Sequence, residues 1–266
     1  VEAIAKANNL HIEYTKEEQT DEQREAAKLK ESVLAAVALV HKFFFDQLRV
    51  ELSDEARAAR EYAYSRWPED FCSTCGIGLA PKDGKLLMEY CKSKAVTEDL
   101  LVQSGIYKQD EKSGRIYTLF RNRLVIPIRD RFGRVTAFTA RYLGDPKADN
   151  VGKYINSSNS MIFTKREAIF GIDRASRCRD ALFYNIVEGA PDVLRLQSVG
   201  MDNAVATLGT AWSAAQFDRL MKLTQSVCFI PDSDPPKDES FGPGFKAVMA
   251  NGAEAMRRGF DVTVRE

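Results

Sequence analysis

Apolar positions change their spacing twice along this 266-residue chain, and each change marks a different kind of structure. Val33, Val37, Val40, Phe44 and Leu48 recur at three- to four-residue intervals, the stripe of one helix face packed against a core. Ser53 followed by Asp54 and Glu55 supplies an N-cap and two acids favoured by the helix dipole, so a helix is expected to about Arg66. Pro68, Gly76 and Gly78 close that unit, and Lys85–Cys91 and Glu98–Ser104 predict two more short helices. Residues 1 to about 110 therefore read as helical, with Thr20–Lys30 a charged, surface-like connector.

From Arg115 the spacing becomes that of strands. Ile116–Phe120 and Leu124–Ile128 are strand-like, and Asp130–Arg134 is a turn leading into Val135–Arg141, which predicts a hairpin. A polar loop spans Gly144–Gly152, extended segments follow at Tyr154–Ser158 and Ile162–Lys165, and helical character resumes near Arg166 and continues past Arg174. The last third alternates: strand Leu182–Val187, a helix opening at Pro191, strand Ala204–Ala206, a helix capped by Ser213 and Gln216, strand Val227–Ile230, helix Phe245–Arg258 and strand Phe260–Val264. Strand–helix alternation implies a mostly parallel sheet with right-handed crossovers. The fold class is therefore α+β with a C-terminal α/β domain. The expected parts are a helical N-terminal part (1–114), a β-rich lobe (115–180) and the α/β domain (181–266).

Composition narrows this picture. Hydrophobic residues make up 44% and charged residues 29%, which excludes a disordered chain, and no apolar run is long enough to suggest a membrane span or a secretion signal. The first residue is Val within a helix-like run (Val1–Ala5), so a fragment or processed product is expected. Five scattered cysteines fit a reducing, cytoplasmic setting. Cys72 and Cys75 have zinc-ligand spacing but no second pair, so they read as two ordinary thiols. Two histidines in all (His11 and His41) make a histidine-dependent triad improbable.

Net charge is zero, but its distribution is uneven. Between Arg115 and Arg141 stand seven arginines and one acid, a local +6 suited to phosphates or, equally, to a solvated face. Three carboxylates carry the candidate chemistry. Glu188 closes the strand ending at Val187, and Asp232 and Asp234 close the strand ending at Ile230. Carboxyl ends of parallel strands form the ligand-binding edge of such sheets, and converging acids there suit Mg²⁺ with room left for water and phosphate. Asp192, in the first turn of the next helix, is also a normal helix-start acid.

Glu188-Gly189-Ala190-Pro191-Asp192 followed by Asp232-Ser233-Asp234 resembles the Toprim signature, E-G-x-x-D then D-x-D. Upstream, Phe120-Arg121-Asn122-Arg123, Ile126-Pro127-Ile128, Gly133-Arg134-Val135, Arg141 with Leu143-Gly144-Asp145, Lys153–Ser157 and Phe163-Thr164-Lys165 resemble the basic lobe of a bacterial replicative primase of the DnaG type. Leu208–Ala211 and the Gly76–Pro81 segment match the same pattern. The resemblance implies an RNA polymerase core that makes short primers on single-stranded DNA from NTPs. It implies Mg²⁺ or Mn²⁺ held by Glu188, Asp232 and Asp234, with Asp192 close behind. It also implies a phosphate-binding groove lined by Arg121, Asn122, Arg123, Arg141, Lys153, Asn156 and Lys165, and a helicase partner reached through regions outside this chain.

The sequence departs from the family at informative places. Ser233 stands where the family's compact turn has glycine, and Pro235–Gly244 lengthens the following loop, as in a divergent branch of the kind carried by mobile elements. The family's zinc module and its later acidic motif fall before residue 1 and after Glu266. Two rival readings stay open on sequence alone: a Toprim nuclease or topoisomerase-like enzyme, and a non-catalytic module that binds single-stranded DNA.

Overall fold

The computed structural model describes residues 20–209, 211–232 and 243–265. The Val1–Ala5 helix, His11, Asp234 and most of the lengthened loop lie outside them.

The chain opens with a 28-residue helix, α1 (Asp21–Leu48), so the expected connector at 20–30 is instead its first turns. Thr20 and Gln23 form a reciprocal capping box that satisfies the first free backbone N–H groups and starts the helix in this highly charged stretch. The predicted stripe is the buried face, with Val33, Val37, Val40, Phe44 and Leu48 all in the core. Helices α2 (Asp54–Tyr64), capped by Ser53, and α3 (Glu69–Cys75) follow. Strand β1 (Gly78–Ala80) interrupts the expected all-helical region. Gly78 lets β1 lie on α1, because a Cβ there would meet the Phe44 carbonyl carbon at 2.5 Å. Helices α4 (Lys85–Ser93) and α5 (Glu98–Gln103) lead to a two-stranded ribbon, β2 (Tyr107–Gln109) with β3 (Ile116–Thr118).

The predicted hairpin is β4 (Arg123–Arg129) against β5 (Val135–Tyr142), with β6 (Tyr154–Asn156) beside it; the antiparallel order is β1-β4-β5-β6. Each face of this sheet has its own core. Val125, Phe138 and Ala140 pack with α1, α4 and α5, whereas Leu124, Ile126 and Ile128 pack with α2, α3 and the C-terminal domain. The first of these cores runs from Ala36 to Ala140, so the division expected at 114/115 passes through it.

Residues 166–175 are mostly irregular, not the expected helix. Only α6 (Ile172–Ala175) is helical, because Phe170 forms an antiparallel bridge to Ala206 that holds the preceding backbone extended. The remaining elements alternate as predicted: β7 (Tyr184–Val187), α7 (Ala190–Gln197), β8 (Ala204–Ala206), α8 (Ala214–Leu220), β9 (Ser226–Phe229), α9 (Pro243–Arg257) and β10 (Asp261–Val264). Pro243 and Gly244, expected in the loop, open α9. All pairings in this sheet are parallel, in the order β10-β9-β7-β8. No described helix is long and apolar enough to cross a membrane.

Candidate active site

The strand order sets the location. The chain moves from β7 to β8 on one side, then returns to place β9 on the other side of β7. The reversal makes a topological switch point, and the crevice beyond the carboxyl ends of the two strands is where such sheets hold ligands. Glu188 follows β7 and Asp232 follows β9, so the two acids flank that crevice. They are adjacent in space, since the Asp232 backbone N–H donates to Glu188 Oε1 at 3.2 Å.

Two further features pack around the pair. Asp192 Oδ2 accepts from the Gly189 N–H at 3.0 Å, which pins the first turn of α7 beside Glu188. Burial and then the neighbouring Asp232 charge hold the Asp192 carboxyl above its ordinary value, while the Gly189 bond and Arg66 oppose them. On the other side, α9 brings Gly244 against Glu188, where a Cβ would collide with Oε1. A cavity of about 180 Å³ opens beside Glu188, walled by Thr207, Trp212, Gly244 and Asn251. The described residues contain no cluster of three metal-ligating side chains, and Asp234 is not among those described. Glu188 and Asp232 nevertheless flank one crevice, and their carboxylates are the hard oxygen donors that a divalent cation of the Mg²⁺ class requires.

The basic residues divide by sheet face. Directly paired residues share a face, and Arg123 pairs with Tyr142 while Leu124 pairs with Arg141. Arg141 therefore points to the face that carries the C-terminal domain, and Arg123 to the face covered by α1. The sequence placed Arg123 in a groove, but its side chain is 5% exposed, donates to the Gly152 and Ala140 carbonyls at 3.0 and 3.4 Å, and lies over the Tyr142 ring. That environment is structural. Arg121 is exposed, with Nε donating to the Lys82 carbonyl. Asn122 sits at φ 52° and joins the Pro81 and Leu143 backbones through its N–H and carbonyl. Asn156 reaches across to the Leu208 carbonyl at 3.3 Å and ties the basic lobe to the α/β domain. Lys153 and Lys165 are exposed.

Arg141 is linked toward the acids through two residues that the sequence did not single out, Tyr62 and Arg66. Its guanidinium lies 4.3 Å from the centre of the Tyr62 ring, and that of Arg66 lies 4.8 Å from the same ring. Arg66 also acts electrostatically on Asp192. Trp67 Nε1 donates to the Pro191 carbonyl and Arg195 to the Arg66 carbonyl, so the end of α2 is docked on the start of α7. Arg141 Nε is buried without a hydrogen-bond partner among the described residues. Tyr154 completes the cluster, its hydroxyl pushed up to about 12 by burial. A lone arginine at a helix end carries no motif, so only the docking of α2 on α7 reveals Arg66.

The two thiols of the Cys72/Cys75 pair are free, and burial pushes them to about 12 and about 11.

An acidic switch point on a parallel sheet, faced by a cationic antiparallel lobe, defines the two-part core of a Toprim protein. The chain belongs to the bacterial DNA primase family: residues 43–176 match the family of the DNA primase catalytic core, N-terminal domain, and residues 185–241 match the Toprim-like family. It is 29% identical to the DNA primase of Pseudomonas putida over 98% of its length, covering 38% of that protein. It is 33% identical to the DNA primase of Deinococcus radiodurans over 84% of its length, covering 37% of that protein. The chain thus spans well under half of these relatives. Among solved structures, the Aquifex aeolicus primase (zinc-binding and RNA polymerase domains) superposes with a TM-score of 0.77 at 29% identity, over 98% of this chain and 59% of that one. A DnaG primase catalytic domain bound to single-stranded DNA gives 0.73 at 26% identity, over 90% and 71%.

Proposed function

We propose that this chain is the catalytic core of a primase, joining ribonucleotides on a single-stranded DNA template. The observation that carries this reading is the contact of Glu188 with Asp232 at the switch point, beside Asp192, which feels the charge of the Arg66 that shares the Tyr62 ring with Arg141. In the reaction the primer 3′-oxygen bonds to the α-phosphorus of an NTP and the bond to pyrophosphate breaks. Arg141 and Arg66 bind and orient the phosphates, and the rigid docking of α2 on α7 fixes their distance from the acids. Arg121, Lys153 and Lys165 hold the template backbone by charge, with Asn156 keeping the two sheets in register. Glu188 and Asp232, with Asp234 and Asp192, would hold Mg²⁺ or Mn²⁺, which supplies charge neutralisation at the attacking and leaving oxygens.

The test is incorporation of labelled NTP on single-stranded DNA by the chain and by Glu188→Gln. Loss of roughly 10²–10³-fold in the variant, with template binding kept, is expected when a group stabilising transition-state charge is removed. Strand cleavage with Mg²⁺ and no incorporation would instead identify a nuclease, and template binding without either reaction a binding module.

A further inference from the structure

A cavity of about 510 Å³ shares no residue with the site described above. It opens at the tip of the β4–β5 hairpin. Six residue steps separate Arg123 from Arg129 along β4, about 20 Å at the rise of an extended strand. On the C-terminal domain its wall is Arg219, Lys222 and Leu223, which precede β9 and so lie at the end of the parallel sheet opposite Glu188 and Asp232. The floor is apolar, formed by Ile128, Phe163, Ala168 and Ile169.

The rim is cationic. Lys30, Arg129, Arg131, Arg219 and Lys222 line it, against two acids, Asp130 and Glu167. Both acids are already neutralised, Asp130 by Arg134 and Glu167 by Arg219. Arg129 is engaged by the Gly133 and Cys75 carbonyls and by the charge of Asp173. Among the described residues, no carboxylate lies within ion-pair distance of Lys30, Arg131 or Lys222, which leaves three cations around one opening. Uncompensated like charges repel one another, so an anion there relieves a cost the fold otherwise carries. The volume falls within the roughly 300–1,000 Å³ range of small-molecule sites, which are apolar cavities with a few convergent polar groups.

We propose that this cavity binds a phosphorylated small molecule with an apolar ring system, of the size of a mononucleotide, separately from the catalytic groove. The ring packs on Phe163, Ile128 and Ile169, and the phosphates meet Arg131, Lys222 and Lys30. Because the walls come from the β4–β5 hairpin and from the end of α8, such a ligand clamps the basic lobe to the α/β domain and raises the stability of the folded chain by mass action.

The experiment is equilibrium dialysis of the full chain with radiolabelled ADP in EDTA, with thermal unfolding as a second readout. Arg131→Glu with Lys222→Glu changes two exposed side chains and is expected to weaken ADP binding at least tenfold and to abolish the ADP-dependent rise in Tm. Arg121→Ala is expected to leave this binding unchanged, and inorganic phosphate to bind at least tenfold more weakly than ADP. Three results would overturn the proposal. One is equal binding by the charge-reversed chain. Another is loss of ADP binding in Arg66→Ala or Arg121→Ala, which assigns it to the catalytic site or its groove. The third is displacement of ADP from Arg121→Ala by a single-stranded oligonucleotide at equal phosphate concentration, which makes the face a nucleic-acid track.

Discussion

The two four-stranded sheets put their chemistry in different places. In the parallel sheet every candidate carboxylate lies beyond a strand's carboxyl end, and the interiors of β7, β8 and β9 are apolar packing apart from Asn185 and the strand-edge Ser226. In the antiparallel sheet the candidate side chains are split, with Arg123, Arg141 and Asn156 within strands and Arg121, Asn122 and Lys153 just before them, and within a strand alternation decides which of two faces each one serves. Proximity in sequence is therefore a reliable guide to the site in the first sheet and a poor one in the second. Arg121, Arg123 and Arg141 belong to one basic run, yet one is exposed before β4, one is buried toward α1, and one lies over Tyr62 on the face that carries the C-terminal domain.

The largest effects are expected at the parallel-sheet crevice. Beyond Glu188→Gln, the sharpest probe of that geometry is Gly244→Ala. The new methyl group must displace the Glu188 carboxylate, and a misplacement on the order of 1 Å costs about 10²-fold in rate. Alanine is the better helix former, so the Tm of Gly244→Ala is expected to hold or rise. An activity loss that tracked a falling Tm would show that Gly244 serves the fold, not the site.

In the antiparallel sheet the comparison is broken or sharpened by a pair of substitutions. Arg123→Ala removes a buried guanidinium that satisfies two carbonyls, and is expected to cost about 1–3 kcal/mol in urea unfolding. Arg121→Ala is expected to leave stability unchanged while lowering the salt dependence of template binding by roughly one charge-equivalent. Equal stability losses in both variants would erase the distinction between the two faces.

The same contrast explains what the sequence revealed. Hydrophobic spacing located α1's buried face, the β4–β5 hairpin and every element of the parallel sheet, because each depends on local period and caps. Strand ends then pointed to Glu188 and Asp232, and the first turn of the next helix to Asp192. What stayed hidden depends on tertiary contact. The face reached by Arg123 needs the pairing register with Tyr142, and Arg66 needs the docking of Trp67 on Pro191. The short α6 follows from a bridge to Ala206, 36 residues away from Phe170.

Asp192 gives a smaller effect with opposite signs in activity and stability. Burial and Asp232 raise its folded pKa, so its contribution to stability is full below the unfolded value and is lost as pH rises through the folded one. At neutral pH the ionised carboxylate therefore burdens the fold. Asp192→Asn keeps an acceptor for the Gly189 N–H, so its Tm at pH 7 is expected to match or exceed that of the parent, with the gap closing under acid conditions. Nucleotide incorporation by the same variant is expected to fall. A lower Tm at pH 7 would mean that the cap outweighs the charge.

The smallest effect belongs to the antiparallel sheet's far side, where His41 on α1 contacts the Gly76 carbonyl at 2.8 Å and stacks near Phe138. Burial lowers its pKa from the ordinary 6.5, against the raising effect of the Gly76 bond, and Arg129 and Arg49 lower it further. The folded state therefore binds this proton more weakly than the unfolded state does. The sign follows: stability is intact well above pH 6.5 and declines as pH falls below that value toward the folded pKa. Thermal unfolding between pH 8 and 5.5 is expected to show a steeper loss for the parent chain than for His41→Gln, which keeps a donor for Gly76 without a titrating ring. Parallel pH profiles would place the proton-linked loss elsewhere, and would leave the α1 face of the antiparallel sheet as packing alone.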